Sequence, residues 1–286
     1  AAVTMHYTFP LGVTTIGKVV TPGFGKEMFI ASTTGAADSD RYKAMLLNVF
    51  AGIAVAKANG VQHPTVGLLN IDGVATIEKA LLKLQKAGYP INFTESQRAD
   101  GGVRMRGNDV LQGTPDIMVC DTLTGNVLMK LFSSFLTGGS YEASGSGYGP
   151  CAGKAMTDVV AIVSRASGAP VIAAALAYAA QSAQAHLKDL CLAEMQAAEK
   201  AGLQAILDSF DAAKEGSTES VPVPPKKAVT EEIHGIDVID IENACKVLWK
   251  AHIYAEAGMG CTGPVILLAG EDAEKARELL TAAGYI

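Results

Sequence analysis

Up to about residue 170, apolar positions recur in short runs, each followed by a Gly/Asp/Asn-rich loop and then by a segment of helical period. Thr65-Val66-Gly67-Leu68-Leu69-Asn70 reads as a buried strand, Ile71-Asp72-Gly73 as its loop, and Val74 to Ala87 as an amphipathic helix closed by Gly88. Ile91-Asn92-Phe93 is a second short strand. Asp116 to Cys120 is a third, followed by a loop at Asp121 to Gly125 and a helix from Asn126 to Phe135. Val159 to Ser164 is a fourth, and Val3 to Phe9 is strand-like as well. Strands alternating with helices predict an α/β fold with a mainly parallel sheet covered on both faces. Ligands of such sheets sit beyond the carboxyl ends of the strands, where this chain places its polar loops.

From Ala169 to Ala213 the chain is Ala-rich and reads as two helices, broken near Gly202 or earlier, with Pro170 at the start of the first. Residues 216–225 (GSTESVPVPP) read as a linker or loop. Ile241 to Ala257 reads as an amphipathic helix with Asp240 as N-cap and Gly258 as its stop. A loop at Met259 to Pro264, a strand at Val265 to Ala269 and a helix from Glu271 to Ala283 complete the pattern. The expected division is an α/β core at 1–168 carrying a ligand cleft, a helical segment and linker at 169–230, and a C-terminal unit at 231–286.

A chain of 286 residues with 49% hydrophobic and 18% charged side chains has a globular composition. Its formal charge of −6 argues against nucleic acid, which requires a broad basic face. A small anion held by a local cluster of donors remains compatible with it. No basic stretch followed by an apolar one opens the chain, and the longest apolar stretch, Ala169 to Ala180, is too short to span a bilayer. Neither secretion nor membrane insertion is expected. Five cysteines at irregular spacing form neither a disulfide framework nor a CxxC site and point to a reducing cytoplasm. A start at Ala1-Ala2-Val3 without Met, running straight into strand-like sequence, is expected of a piece of a longer protein.

The loop Thr94 to Asp109 (TESQRADGGVRMRGND) interleaves Arg98, Arg104 and Arg106 with Gly101, Gly102 and Gly107. Glycines let backbone N–H groups approach an anion, and guanidinium forks match phosphate or carboxylate oxygens. The same residues also suit a solvated loop whose arginines pair with Glu95, Asp100 and Asp109. Cys120-Asp121-Thr122-Leu123-Thr124-Gly125-Asn126 puts a carboxylate and free N–H groups at a strand end. It equally suits an ordinary strand-to-helix turn with Asn126 as the cap. The Gly/Ser-rich stretch Thr137 to Pro150 is either a flap or a plain surface loop. Arg165, in Ser164-Arg165-Ala166-Ser167-Gly168, is a further candidate anion contact. In Gly258-Met259-Gly260-Cys261-Thr262-Gly263-Pro264 the cysteine has small neighbours and leaves room for a substrate carbonyl, as a thiolate nucleophile requires. A helix C-terminus just before it would raise its pKa, and a tight-turn cysteine without chemistry is the alternative. The five histidines show no metal spacing, so no metal is expected, and no GxGxxG opens a helix after a strand, which disfavours a dehydrogenase.

VGLLNI at 66–71, INF at 91–93 and GNDVLQGTPDIMVCDTLTGNVLMK at 107–130 resemble the PlsX-type phosphate acyltransferases. SQRADGGVRMRGND, DTLTGNVLMKLFSS, SRASGAP and GMGCTGPVILL resemble, over the full chain, the component C α subunits of glycine/sarcosine/betaine reductase complexes. The chain departs from the first group where Asp72 to Ile77 replaces a polar Lys-Gly-Asn-Glu segment and Asp121-Thr122-Leu123 replaces Asp-Gly-Phe. The resemblance implies a three-layer α/β/α fold of the PlsX/phosphotransacetylase kind with a mixed, mainly parallel sheet and a protruding helical segment. It implies N-terminal βα units in the family beyond what this chain contains. It implies an acyltransferase that converts an enzyme-bound acetyl thioester and inorganic phosphate to acetyl phosphate, without a further cofactor. Cys261 would hold the acetyl group, with Asp121 and Asn126 ordering the cleft. Arg98, Gly101, Arg106, Gly107, Asn108, Thr124, Gly125 and Arg165 would bind phosphate or the acyl group. The implied partners are the component C β subunit, selenoprotein A and further copies of the chain. Two other readings stand beside this one: direct phosphorolysis of a carrier-protein thioester without a covalent intermediate, and a scaffold subunit without chemistry.

Overall fold

The computed structural model describes residues 1–99, 101–215, 221–236, 240–260 and 263–286. It forms two compact units, one of residues 1–71 with 77–207, the other of residues 72–76 with 208–286.

In the first unit the strands are β1 (Ala2–Thr4), β2 (Val13–Val20), β3 (Glu27–Ala36), β4 (Thr65–Leu69), β5 (Asn92–Phe93), β6 (Arg104–Met105), β7 (Ile117–Val119), β8 (Gly149–Ala152) and β9 (Val160–Ile162). They make one mixed sheet in the order β1-β9-β8-β2-β3-β7-β4-β5, with β6 on the same side of β4 as β5. The part from β3 to β6 is parallel. β2 is antiparallel to β3 and β8, and β8 to β9. The helices are α1 (Arg41–Ala58), α2 (Val74–Lys86), α3 (Gly107–Gln112), α4 (Thr122–Ser134), α5 (Ala169–Gln184), α6 (Leu187–Lys200) and α7 (Leu203–Glu215), with α2 and α7 shared with the second unit.

Strand alternation sorts the helices into two layers. Met28, Ile30 and Met118 face Met129 and Phe132 of α4 in one buried cluster. Ala31 and Ile117 approach Gly52 of α1 on the other side, where Phe29 also meets Tyr178 of α5. α6 is fixed to the α1 layer through Glu194, which accepts from Lys57 at 2.5 Å and from the Tyr89 hydroxyl at 2.7 Å. The first unit is therefore a three-layer α/β/α structure.

The second unit has an antiparallel sheet in the order β10 (Glu231–Ile233), β12 (Gly263–Leu268), β11 (Ala255–Gly260), packed with α8 (Ile241–Lys250) and α9 (Ala273–Ala282). Ile233, Ala244, Leu248, Ile266, Leu268 and Leu280 are fully buried between them.

Four local expectations are corrected. The Ala-rich stretch is three helices, because His186 turns left-handed (φ 53°) after α5 and Gly202 (φ 94°) follows α6. The helix from Ile241 stops at Lys250, where His252 (φ 60°) lets the Ile253 N–H bond the Leu248 carbonyl, and residues 255–260 form a strand. The helix after the third strand begins at Thr122 instead of Asn126. β9 runs antiparallel to β7, so it does not add a parallel strand to the carboxyl edge.

Candidate functional site

β3, β7, β4 and β6 end at one edge of the sheet, and α1, α4 and α3 begin there. Helix starts expose unpaired N–H groups and the positive end of the helix dipole, so such an edge favours anions. Carboxylates already occupy part of it. Asp40 Oδ1 accepts the Lys43 N–H at 2.8 Å, and Asp121 Oδ1 accepts the Leu123 and Thr124 N–H groups, both at 3.1 Å. Asp121 is thus the cap that the sequence assigned to Asn126.

Between the ends of β3 and β7 lies a cavity of about 290 Å³ lined by Asp38, Ser39, Arg41, Asn48, Asp121 and Thr122, among others. Arg41 Nη2 is 3.4 Å from Asp121 Oδ2, which also accepts the Thr124 hydroxyl at 2.6 Å. Partial burial acts to raise the Asp121 pKa. The Thr124 hydrogen bonds and the Arg41 charge outweigh it and hold the carboxyl below its ordinary range. Thr124 therefore completes the cap. Gly125 is buried, and a Cβ on it would lie 1.8 Å from the Ser32 carbonyl oxygen, so this glycine lets α4 lie against β3.

The Arg/Gly loop is an excursion from the sheet's edge strand. β5 pairs with Thr65 and Val66, β6 with Leu68 and Leu69, and the intervening segment folds out and returns. Arg98 and Gly101 (φ 59°) lie in that excursion, where the Gly101 N–H bonds the Arg98 carbonyl. Arg106, Gly107 and Asn108, all exposed, follow β6 onto the carboxyl edge at the start of α3. β6 and β7 flank β4, so Arg106 and Asp121 leave strands about 10 Å apart at the same edge. The loop's acids do not all serve its arginines. Arg104 Nε bonds Glu78 at 2.6 Å. Asp109, 1% exposed, accepts from the Ser96 hydroxyl (2.7 Å), the Gln97 and Arg106 N–H groups (both 2.8 Å) and the Thr114 hydroxyl (3.2 Å). Burial acts to raise its pKa and those four donors together lower it.

Asn126, on the second turn of α4, donates from Nδ2 to the Thr33 carbonyl at 3.1 Å and lines a second cavity of about 290 Å³ with His6, Tyr7, Thr34, Tyr148 and Ser164. Arg165 is exposed in the turn after β9 and belongs to a different environment from Arg106. That turn wraps Glu142, which is 2% exposed. Glu142 Oε1 accepts from Lys130 at 2.5 Å and Ser164 at 2.8 Å, and Oε2 accepts from Ser167 at 2.5 Å. Burial acts to raise the Glu142 pKa, and Lys130 and the two serines bring it below the carboxylate range. Arg41, Lys130 and Glu142 escaped the sequence reading. Lys130 stands one helical turn after Asn126, and Glu142 is the lone acid of the Gly/Ser-rich stretch, which were the available signals.

Cys261 lies outside the described residues. The four described cysteines are buried. Burial pushes Cys151 and Cys191 up to about 12 and Cys245 to about 11. Burial together with the Asp121 charge raises Cys120 further. None of the four is a thiolate near neutral pH. Among the described residues no group of His, Cys, Asp and Glu converges as metal ligands, and no helix is long and apolar enough to cross a membrane.

The layers of the first unit, with the parallel strands of its sheet, define an α/β/α protein. The chain belongs to the fatty acid synthesis protein family, whose model matches residues 1–267. It is 54% identical over its full length to the glycine/sarcosine/betaine reductase complex component C subunit alpha of Peptoclostridium acidaminophilum, covering 75% of that protein. It is 37% identical to the phosphate acyltransferase of Brevibacillus brevis over 32% of this chain and 26% of the other. It is 32% identical to that of Acetivibrio thermocellus over 44% of this chain and 34% of the other.

Proposed function

We propose that the chain is an acyltransferase that forms acetyl phosphate from an enzyme-bound acetyl thioester and inorganic phosphate, within a glycine reductase-type complex in the cytoplasm. The observation that carries this reading is the shared carboxyl edge, where three helix starts open beside Arg41 and Arg106. The 54% identity to a component C α subunit along the whole chain supports the choice of complex. The partners are then a component C β subunit, a selenoprotein A and further copies of the chain.

Cys261 holds the acetyl group as a thioester. A phosphate oxygen attacks the carbonyl carbon and the C–O bond forms. The C–S bond breaks and its electron pair returns to the Cys261 sulfur as thiolate, releasing acetyl phosphate. Phosphate is nucleophilic at neutral pH, so orientation and charge stabilisation supply the catalysis, with no cofactor or metal required. Arg106 and the first-turn N–H groups of Gly107 and Asn108 hold phosphate, assisted by Arg98. Asp121 and Thr124 fix the start of α4, and Asn126 orders the adjoining cavity. Arg165 is a weaker candidate because its strand runs opposite to β7.

A second reading is direct phosphorolysis of a carrier thioester, favoured by the local matches to phosphate acyltransferases. Arsenate-dependent hydrolysis of acetyl phosphate separates the two. Under the first reading Cys261→Ser abolishes it; undiminished activity in that variant removes the covalent role.

A further inference from the structure

α4 buries Gly125, Met129, Phe132 and Ser133 and points Leu123, Val127 and Leu131 outward. Phe135 continues that row past the end of the helix, and Leu136 stands beside it. These five side chains are between 49% and 74% exposed. They are the exposed positions of residues 122–136, where a solvated helix face ordinarily carries charge. The one charged side chain of the helix, Lys130, turns instead to the buried Glu142 carboxylate. A helix that is apolar on its outer as well as its inner side belongs in an interior.

Leu123, Val127, Leu131 and Phe135 are spaced four residues apart and so form one ridge. Ridges of this spacing pack most commonly into grooves of the same class on a second helix, at a crossing of about −50°. The row therefore complements itself. In a two-fold arrangement Val127 meets Leu131 of the partner subunit, and Leu123 meets Phe135 of the partner subunit. Taking about 200 Å² for a fully exposed side chain of this size, the patch supplies about 600 Å² per copy and about 1,200 Å² per pair. Specific interfaces begin at about that total, and a continuous apolar patch of this size marks an interaction surface. The row itself contains no charge that the pairing would bury.

We infer that the α4 ridge is the surface on which two copies of this chain pair. Leu123 also lines the cavity between the ends of β3 and β7 that contains Arg41 and Asp121. Phe135 of the partner subunit then covers the outer wall of that cavity, so both copies border the candidate site. The inference gives a surface to the further copies proposed above and rests on that partner reading; the acyl-transfer reaction is no part of it.

The test is sedimentation equilibrium of the full chain over about 1–100 μM, a range that resolves the dissociation constant of an interface of this size. The wild type sediments as a dimer. Leu131→Asp sets two carboxylates at the two-fold contact and raises the dissociation constant by about 100-fold or more. Circular dichroism stays unchanged, because the residue is exposed in the single chain. Ile172→Asp, on the exposed side of α5, leaves the dimer intact. A Val127→Cys chain mixed with a Leu131→Cys chain forms a disulfide-linked pair. A dimer that survives Leu131→Asp, or one in which that link does not form, overturns the inference while the reading of further copies stands. A monomeric wild type, including one whose Leu131 face binds a component C β subunit instead, overturns both.

Discussion

Nη2 of Arg41, the first residue of α1, lies 3.4 Å from Oδ2 of Asp121, the residue that caps α4. This contact ties two helix starts together across the ends of β3 and β7. The cap carries more of the stability than the ion pair does, because caps contribute about 1 kcal/mol and partly exposed pairs less. Asp121→Ala is expected to lower the unfolding free energy by about 1–2 kcal/mol and Arg41→Ala by less than about 1. Urea denaturation of the singles and the double variant measures both. A coupling energy well above about 1 kcal/mol would show that the pair dominates.

Asp109 organises the Arg/Gly loop from below. Removing its carboxylate strands buried donors, so Asp109→Ala should cost on the order of 3 kcal/mol and loosen the segment that leads to Arg106. Its folded pKa is depressed, so its contribution is fully present above the unfolded value of about 3.9 and is lost as pH falls through the lower folded value. Stability measured by denaturant between neutral pH and about pH 3 should therefore fall less steeply in Asp109→Asn than in the wild type. Identical slopes would contradict the assignment.

Gly125 answers to packing. Its missing Cβ leaves room for the Ser32 carbonyl oxygen, so Gly125→Ala must push α4 off β3. The expected loss is on the order of 3 kcal/mol, read as a lowered midpoint in thermal or urea unfolding. A neutral effect would mean that α4 lies farther from the sheet than it does here.

Of five cysteines in the chain, the four described ones are buried with raised pKa values, which leaves Cys261. Iodoacetamide at pH 7.5–8, a window of about half a unit around ordinary assay conditions and below a free thiol's usual 8.5, should label at most one thiol in the folded chain. Peptide mapping that finds Cys120 or Cys191 labelled before unfolding would refute the burial argument.

Much of the parallel sheet was legible because its strands are apolar runs with glycine punctuation: 65–69 and 117–119 lie close to their expected bounds, and Gly88 (φ 100°) ends α2. The β2–β3 hairpin was not, since VTTIGKVV and EMFIASTTGA are buried almost throughout and show little alternation. β11 was absorbed into a helix because its Ala-Glu-Ala-Gly start continues the helical pattern, and the left-handed turn at His252 has no glycine to announce it. At the site, Asp121 drew attention from its place after a strand and Arg106 from the glycines and arginines around it in the loop. Asp109 and Glu142 have roles set by partners distant in sequence or by the turn after β9, which spacing does not encode. Arg165 drew attention for its charge, and only strand direction separates it from the carboxyl edge.

The most direct measurement of the central claim is intact-protein and peptide mass spectrometry of the chain after incubation with acetyl phosphate. A single acetyl adduct on Cys261, removed by added phosphate or arsenate and absent in Cys261→Ser, is the predicted result. Turnover of acetyl phosphate with Cys261 unmodified, or retained in the serine variant, would contradict it.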